Sequence, residues 1–221
     1  MKAVIFDLDG TLIDSAPDLH LATNMVLADE GLPPIGFDEA RSFIGKGAAV
    51  LISRVMAAVG LPDDPAEHAR LLAKFMAQYE SEPTHTRVYP GVMDALARLD
   101  AMGCAMGLCT NKPAGPTRIA LRYFGLDRHI KTVADADTLP QRKPDPAPLH
   151  HVAQQMGAPG ALYVGDSEVD AQTAQAAGMP FALYTQGYRK APARDLPHRF
   201  SFDHWDDLPA LAQRHFAGIT A

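Results

Sequence analysis

Short apolar runs alternate with amphipathic helical stretches along most of this 221-residue chain, and this alternation is what most constrains its fold. Strands that alternate with helices are typical of a parallel sheet whose strands are joined by crossover helices. Five runs fit short strands, at Ala3 to Phe6, Ala105 to Cys109, Lys131 to Ala134, Leu162 to Val164 and Phe181 to Tyr184. The pattern therefore predicts an α/β fold.

Helical patterns fill the intervals between these strands. They run from Val92 to Met102, Gly115 to Phe124, Ala147 to Met156 and Val169 to Ala177, with a further one from Leu208 to Phe216. Glycine at position 178 directly follows one of them, as is common at a helix C-terminus. We expect a Rossmann-like, doubly wound parallel sheet with helices on both faces.

About ninety residues separate the first two strands, far more than a crossover connection needs. Within them the pattern is helical, at Leu19 to Glu30, Asp38 to Val59 and Ala66 to Tyr79, with a turn expected at Gly45-Lys46-Gly47. The sequence therefore predicts an α-helical cap domain at residues 16–81, inserted into a catalytic core made of residues 1–15 and 82–221.

Composition argues against several classes of protein. The net charge of −6 is unfavourable for non-specific nucleic-acid binding, and no apolar run approaches the roughly 18 residues of a membrane span. The first ten residues lack the apolar segment of a signal peptide, and Cys104 and Cys109 lie in an apolar run that suits buried thiols. We expect a cytoplasmic monomer or homodimer without nucleic-acid or membrane partners.

Polar side chains follow the predicted strands where the strands end. Because ligands of open parallel sheets bind at the carboxyl ends of the strands, these side chains are candidates for one site. They are Asp7 and Asp9 after the first strand, Thr110, Asn111 and Lys112 after the second, Lys143 on the loop after the third, and Asp166 and Asp170 after the fourth.

Carboxylates brought together in this way repel one another unless a cation lies between them. Mg²⁺ is the default choice, because one or two carboxylates, waters and a substrate phosphate satisfy it. Lys143 and Thr110 would then bind the other phosphate oxygens. Acids, a metal and a lysine suit phosphoryl transfer, in which a carboxylate nucleophile can divide the reaction into two steps.

Each residue taken singly also has a simpler interpretation. Asp7 and Asp9 fit the cap of a turn. Asp170 fits an acid in the first turn of a helix, where the helix dipole favours it. Asp14 and Asp18 fit the start of a helix better than a ligand site.

The combination of motifs resembles the haloacid dehalogenase-like hydrolase superfamily over nearly the whole chain. Its four motifs are matched in order by Asp7-Leu8-Asp9-Gly10-Thr11, Thr110, Lys143 and Gly165 to Asp170, and the helical insertion resembles its small cap. Further stretches are similar to the phosphoglycolate phosphatases: Leu12 to Leu19, Ile44 to Ala48, Tyr89 to Val92, Thr110 to Lys112, Asp137 to Pro140 and Arg142 to Pro144.

The resemblance implies a role for each acid. Asp7 would be the nucleophile that forms an aspartyl-phosphate, and Asp9 would be the general acid and then the general base. The Asp7 carboxylate, the Asp9 backbone carbonyl and Asp166 would hold Mg²⁺, with Asp170 as a supporting or outer ligand. Gly10 would permit the sharp turn that lets the second acid, Asp9, face the first, Asp7.

By the same resemblance, Thr110 and Lys143 would hold the phosphoryl group, assisted by backbone N–H groups near Leu8 and Asn111. A second acid at Asp9 favours phosphate chemistry, because a dehalogenase has no leaving oxygen to protonate.

Two stretches depart from the family pattern: Lys46 and Ala49 on the cap turn stand where relatives often have Asn and Asp, and Asp135-Ala136 replaces a glycine pair. We hypothesise that Lys46 binds the carboxylate of a small acidic substrate.

The expected reaction is the hydrolysis of 2-phosphoglycolate to glycolate and phosphate. Four alternatives stay open: a phosphatase for another small phosphate ester, a β-phosphoglucomutase-like isomerase, a phosphonate hydrolase with Lys46 as Schiff base, and a non-catalytic sensor of a phosphate ligand.

Overall fold

The computed structural model describes residues 1–218, so the last three residues of the predicted core lie outside the described part. The elements follow in this order: β1 (Ala3–Phe6), β2 (Ile13–Asp14), α1 (Ala16–Asp29), α2 (Phe37–Phe43), α3 (Ala48–Ala58), α4 (Pro65–Tyr79), β3 (Arg87–Val88), α5 (Val92–Ala101), β4 (Ala105–Cys109), α6 (Ala114–Tyr123), β5 (Thr132–Ala134), α7 (Ala147–Gln155), β6 (Leu162–Gly165), α8 (Glu168–Ala176), β7 (Phe181–Tyr184), β8 (Phe200–Phe202) and α9 (Leu208–Ala217).

The main sheet has six parallel strands in the order β5-β4-β1-β6-β7-β8. Central strand β1 pairs with β4 on one side and β6 on the other, so that Ile5 lies opposite both Gly107 and Tyr163. From β1 the chain winds outward through β4 to β5 and then crosses to β6 on the other side. This reversal beside β1 confirms the doubly wound sheet and creates a crevice at the carboxyl ends of β1, β4 and β6.

Alternate residues of β1 point into the two layers of the core. Val4 and Phe6 pack with α5, α6 and α9, whereas Ala3 and Ile5 pack with α7 and α8. All four side chains are completely buried, as expected for the central strand of a covered parallel sheet. Each large apolar side chain buried in this way contributes about 1.5–3 kcal/mol to the free energy of folding, relative to leaving it exposed to water.

The five predicted strands are present, with boundaries within one residue of those expected. The strands β2, β3 and β8 were not predicted, because runs of two or three residues are too short to show a periodic pattern. Strand β2 pairs antiparallel with β3, with Ile13 opposite Val88 and Asp14 opposite Arg87. The two segments that lead into and out of the inserted helices are therefore paired with each other.

Helices α1 to α4 enclose a third hydrophobic cluster, separate from the two clusters of the sheet and centred on residues such as Leu27, Ile52 and Phe75. Gly47 adopts φ 88° immediately before α3, and the expected turn at Gly45-Lys46-Gly47 separates α2 from α3. A separate cluster supports a cap domain at residues 16–81, but its exact limits stay a prediction.

Both cysteines are buried free thiols, as expected from the apolar run that contains them. Over residues 1–218, none of the helices combines the length and the apolar character that crossing a bilayer would require.

Candidate active site

The predicted polar residues converge at the carboxyl edge of the sheet. Asp7, Thr110 and Asp166 directly follow β1, β4 and β6, which are adjacent strands, and all three side chains are buried. The parallel arrangement alone explains this convergence, because the ends of neighbouring parallel strands meet at one edge.

Lys143 connects two of the acids. Its Nζ lies 2.8 Å from Asp7 Oδ1 and 2.7 Å from Asp170 Oδ1, and it also donates to the Tyr163 hydroxyl at 3.0 Å. Burial alone would lower the pKa of Lys143, but the carboxylates of Asp170 and Asp7 outweigh it and raise this pKa. Lys143 is therefore held as a fixed positive charge beside Asp7.

Asn111 fixes the loop that carries this lysine. Its Nδ2 donates to the Lys143 backbone carbonyl at 2.9 Å, and its Oδ1 accepts from the Lys143 backbone N–H at 3.0 Å. The same Nδ2 also donates to the carbonyl of Gly45, at 3.1 Å, on the turn between α2 and α3. Asn111, predicted as a phosphate-binding residue, thus links the loop after β4 to two other segments of the site.

Carboxylate oxygens of Asp7, Asp166 and Asp170 lie within 4.8 Å of one another. Burial, together with the charge of Asp170, raises the pKa of Asp7 to about 6, against the opposing effect of Lys143. Burial and the charges of Asp170 and Asp7 also raise the pKa of Asp166 well above its ordinary value. Three buried carboxylates facing one lysine therefore carry an excess of negative charge, which a hard divalent cation would neutralise.

Asp166 is oriented from two directions. Its Oδ1 accepts from Thr11 Oγ1 at 2.7 Å, and its Oδ2 accepts from the Tyr188 backbone N–H at 2.6 Å. Gly10, with φ 86°, lies so close that a Cβ atom there would be 2.6 Å from Asp166 Oδ2. The predicted turn at Gly10 is therefore required both by its backbone conformation and by the space that Asp166 occupies.

Asp170 is the most completely bonded of the three acids. Besides Lys143, its Oδ1 accepts from the Tyr163 hydroxyl at 2.7 Å. Its Oδ2 accepts from Ser167 Oγ at 2.6 Å and from the Ser167 backbone N–H at 3.1 Å. In return the Asp170 backbone N–H donates to Ser167 Oγ at 3.3 Å, which completes a capping box at the start of α8. Burial would raise the pKa of Asp170, but Lys143 and these hydrogen bonds lower it. These contacts suit an outer ligand that orients Lys143 and the loop after β6.

Asp9 lies apart from the carboxylate cluster. Its Oδ1 accepts from Ser15 Oγ at 2.6 Å and from Lys112 Nζ at 2.9 Å, and Lys112 Nζ also contacts the Tyr79 hydroxyl. Asp7 and Asp9, two residues apart in the chain, therefore have different partners: Lys143 for the first and Lys112 for the second. This separation allows the two carboxylates to take different chemical roles.

Lys46 is exposed on the turn between α2 and α3. It lines an outer cavity that reaches Asp7, Asp9 and Asp166 and that also contains Arg54 and Lys190. An inner pocket reaches Asp7 and Asp9 from the other side and is lined by Thr110, Asn111, Lys112 and Tyr79, together with apolar residues of the cap helices.

Several residues of the site were given no role from the sequence. Lys112 was placed with Thr110 and Asn111 at the end of the second predicted strand, but no function was assigned to it. Ser167 precedes Asp170 by three residues, which is a capping-box spacing. Nothing in the sequence marks Tyr79, Tyr163 or Tyr188, because their contacts join segments that are distant in the chain.

The comparisons with known proteins agree with this geometry. The family described as haloacid dehalogenase-like hydrolase matches residues 4–184. A Phosphoglycolate phosphatase of Cereibacter sphaeroides is 52% identical over 98% of this chain and 100% of its own length, and one of Rhodobacter capsulatus is 45% identical over 96% of both chains.

A crystal structure from Haemophilus somnus, described as a predicted phosphoglycolate phosphatase, superposes with a TM-score of 0.91 at 32% identity and covers 96% of this chain and 98% of its own. The resemblance inferred from the four motifs is thereby confirmed. The chain belongs to the haloacid dehalogenase-like hydrolase family.

Proposed function

We propose that the chain is a magnesium-dependent phosphomonoester hydrolase that converts 2-phosphoglycolate and water to glycolate and phosphate. The single observation that carries this proposal is the pairing of Asp7 with Lys143 beside Asp166, while Asp9 points to a different set of partners. The names of relatives at 45–52% identity support the choice of substrate.

Asp7 is the proposed nucleophile. Its oxygen attacks phosphorus, the bond from phosphorus to the substrate oxygen breaks, and Asp9 gives its proton to the departing glycolate oxygen. Asp9 then takes a proton from water as that water attacks the aspartyl-phosphate, which releases phosphate and regenerates Asp7. The separate environments of Asp7 and Asp9 support this division.

The proposed metal ligands are the carboxylates of Asp7 and Asp166 and the backbone carbonyl of Asp9, with Asp170 as the outer ligand. The chemistry of this donor set fits Mg²⁺, because the oxygens are hard ligands. The raised pKa values of Asp7 and Asp166 reflect their burial first and the charge of the neighbouring carboxylates second. When bound, the ion would neutralise charge on the phosphoryl oxygens.

Lys143 and Thr110 are the proposed phosphate-binding side chains, with backbone N–H groups near Leu8 and Asn111. Lys143 is already oriented by Asp170 and Tyr163, so little side-chain freedom is lost when it binds a phosphate oxygen. The sequence hypothesis that Lys46 binds the substrate carboxylate would place that contact in the outer cavity that Lys46 lines.

The test is phosphate release from a panel of small phosphate esters, with and without Mg²⁺. We expect 2-phosphoglycolate to give the highest kcat/KM and chelation to abolish turnover. Asp7→Asn should lower kcat by at least about a thousandfold, and circular dichroism should show the fold unchanged because the amide has the same shape.

Other results would point to other functions. Free phosphate that appears only slowly while phosphate returns to a sugar would indicate the isomerase. Tight phosphate-ester binding without any turnover would indicate the sensor. Equal rates on every ester would contradict the choice of 2-phosphoglycolate while leaving the phosphatase chemistry intact.

A further inference from the structure

The inner pocket beside Asp9 lies between the core and the cap and is mostly apolar. Leu19, Ile44 and Leu51 form part of its wall. Among the described residues that line it, Lys112 is the one cation. A substrate carboxylate in such a pocket needs a charged partner, because an unpaired charge against apolar walls is costly.

Lys112 is buried, and its contacts hold its ammonium group in a position suited to this role. Its side chain is only 4% exposed, and Asp9 lies 2.9 Å from its Nζ. The Nζ also lies 4.4 Å from the centre of the Tyr79 ring and contacts the Tyr79 hydroxyl. An ammonium group has three hydrogens, and besides Asp9 Oδ1 and the Tyr79 hydroxyl its third partner is Asp9 Oδ2, at 3.3 Å. This long contact is the one that a carboxylate oxygen of a ligand would replace.

The length of the substrate also favours this position. In 2-phosphoglycolate one methylene carbon separates the phosphate-bearing oxygen from the carboxylate, so the cation that binds the carboxylate must lie next to the group that protonates the leaving oxygen. Lys112 is paired with Asp9, the proposed proton donor, and lies on the same loop as Thr110 and Asn111. The loop after β4 thus presents phosphate-binding and carboxylate-binding groups at a fixed spacing.

We propose that Lys112, with the Tyr79 hydroxyl, binds the substrate carboxylate and is the residue that selects acidic phosphate esters. This inference rests on the proposed function and deepens it. It assigns the direct contact to the inner pocket on the leaving-group side of Asp9, instead of to Lys46 in the outer cavity. Tyr79 ends the last cap helix, so the carboxylate would also connect the cap to the core.

The test compares 2-phosphoglycolate with ethyl phosphate, which has a methyl group in place of the carboxylate. We expect Lys112→Met to lower the ratio of the two kcat/KM values by about tenfold or more, since a hydrogen bond between charged groups is lost. Lys112→Arg should retain part of the ratio. Tyr79→Phe, which keeps the ring, should lower the ratio about threefold.

A binding measurement keeps the inference testable without turnover. In the Asp7→Asn protein, calorimetry should show that adding Lys112→Met weakens 2-phosphoglycolate about tenfold more than ethyl phosphate. An equal loss for both esters would show that Lys112 only supports Asp9 and would overturn the inference. A larger change of selectivity from Lys46→Ala would overturn it in favour of Lys46. Absence of turnover in the wild-type protein would contradict the proposed function, whereas the binding experiment would still decide the role of Lys112.

Discussion

At the scale of single residues, the site depends on close approaches that leave no room for extra atoms. Gly10 carries its backbone past Asp166, and the N–H of Tyr188 donates to the same carboxylate from the other side. Asp166 can therefore keep one orientation in the absence of a cation, and this orientation is set by backbone as much as by side chains.

Gly10→Ala should test this packing. The new methyl group would meet Asp166 Oδ2 at 2.6 Å, and the backbone at φ 86° would disfavour alanine as well. We expect the free energy of unfolding to fall by about 2 kcal/mol or more and the affinity for Mg²⁺ to fall with it, measured by urea denaturation and by metal titration.

Gly31→Ala is the matched control. Gly31 also has positive φ, 67°, but no atom lies within 4 Å of the added methyl group, so only the backbone cost of about 1 kcal/mol applies. If both variants lost the same stability and the same metal affinity, the close approach at Asp166 would not matter.

At the scale of elements, strands and helices with a periodic apolar pattern could be predicted from the sequence, whereas elements defined only by contact with a distant segment could not. The strands β1, β4 and β7 were located to the residue because their apolar runs are four or five residues long and bounded by turn signals. The β2–β3 pair was missed, because a two-residue strand is defined only by its partner.

The same distinction holds in the site. Asp7, Asp166 and Lys143 could be predicted because each lies in a motif, and the parallel sheet brings their loops together. The pairing of Lys112 with Asp9 and Tyr79 could not, since it depends on how the cap sits on the core. Motif spacing contains no information about that arrangement.

The contact between α1 and the segment directly before β3 gives a prediction at this scale. Asp18, interpreted from the sequence as a helix-start residue, accepts hydrogen bonds from the backbone N–H groups of Thr84, His85 and Thr86, at 3.1, 2.9 and 2.9 Å, and from Thr86 Oγ1 at 2.6 Å. Asp18→Asn removes acceptor capacity and charge, so we expect a loss of about 2 kcal/mol of stability at neutral pH.

The pH dependence of this loss has a definite sign. Burial would raise the pKa of Asp18, but hydrogen bonds from Thr86 and His85 outweigh it and lower that pKa in the folded state. The contribution of Asp18 is therefore present above its unfolded pKa, about 4, and is lost as the pH falls through the folded value. Urea melts should show the gap between wild type and Asp18→Asn unchanged from neutral pH to about pH 5 and closing as the pH falls below about 4. A gap that stays constant over this range would indicate that the carboxylate charge is not involved.

At the scale of the whole molecule, the core and the cap have separate hydrophobic clusters and face each other at the carboxyl edge of the main sheet. The cap helices α1 to α4 lie between β2 and β3 in the chain. Ser15, directly before α1, donates to Asp9, and Tyr79, at the end of α4, contacts Lys112, which is paired with Asp9. Arg41 on α2 also donates to the Gly187 carbonyl at 2.6 Å and lies over the Tyr188 ring. Movement of the cap would therefore shift Asp9 through its hydrogen bond with Ser15, and Asp166 through its hydrogen bond with the Tyr188 backbone.

On the proposed function, the carboxylate cluster should couple the stability of the folded chain to Mg²⁺ and to pH together. Burial raises the pKa of Asp7 to about 6 and raises that of Asp166 well above its ordinary value, so without a metal these groups favour folding while protonated. Their contribution is fully present below the unfolded pKa of about 4 and is lost as the pH rises through the folded values. On the proposed function, Mg²⁺ would replace the lost protons, and its binding would add stability by mass action.

We therefore expect a fixed concentration of Mg²⁺ to raise the Tm more at about pH 7.5 than at about pH 5, because protons compete with the ion at the lower pH. Differential scanning calorimetry of the chelated and the magnesium-saturated protein measures this difference directly. In Asp166→Asn the increase should be small at both pH values, since one carboxylate ligand is gone and the remaining acids repel less. An equal increase at both pH values in the wild-type protein would mean that Mg²⁺ binds somewhere other than between Asp7 and Asp166.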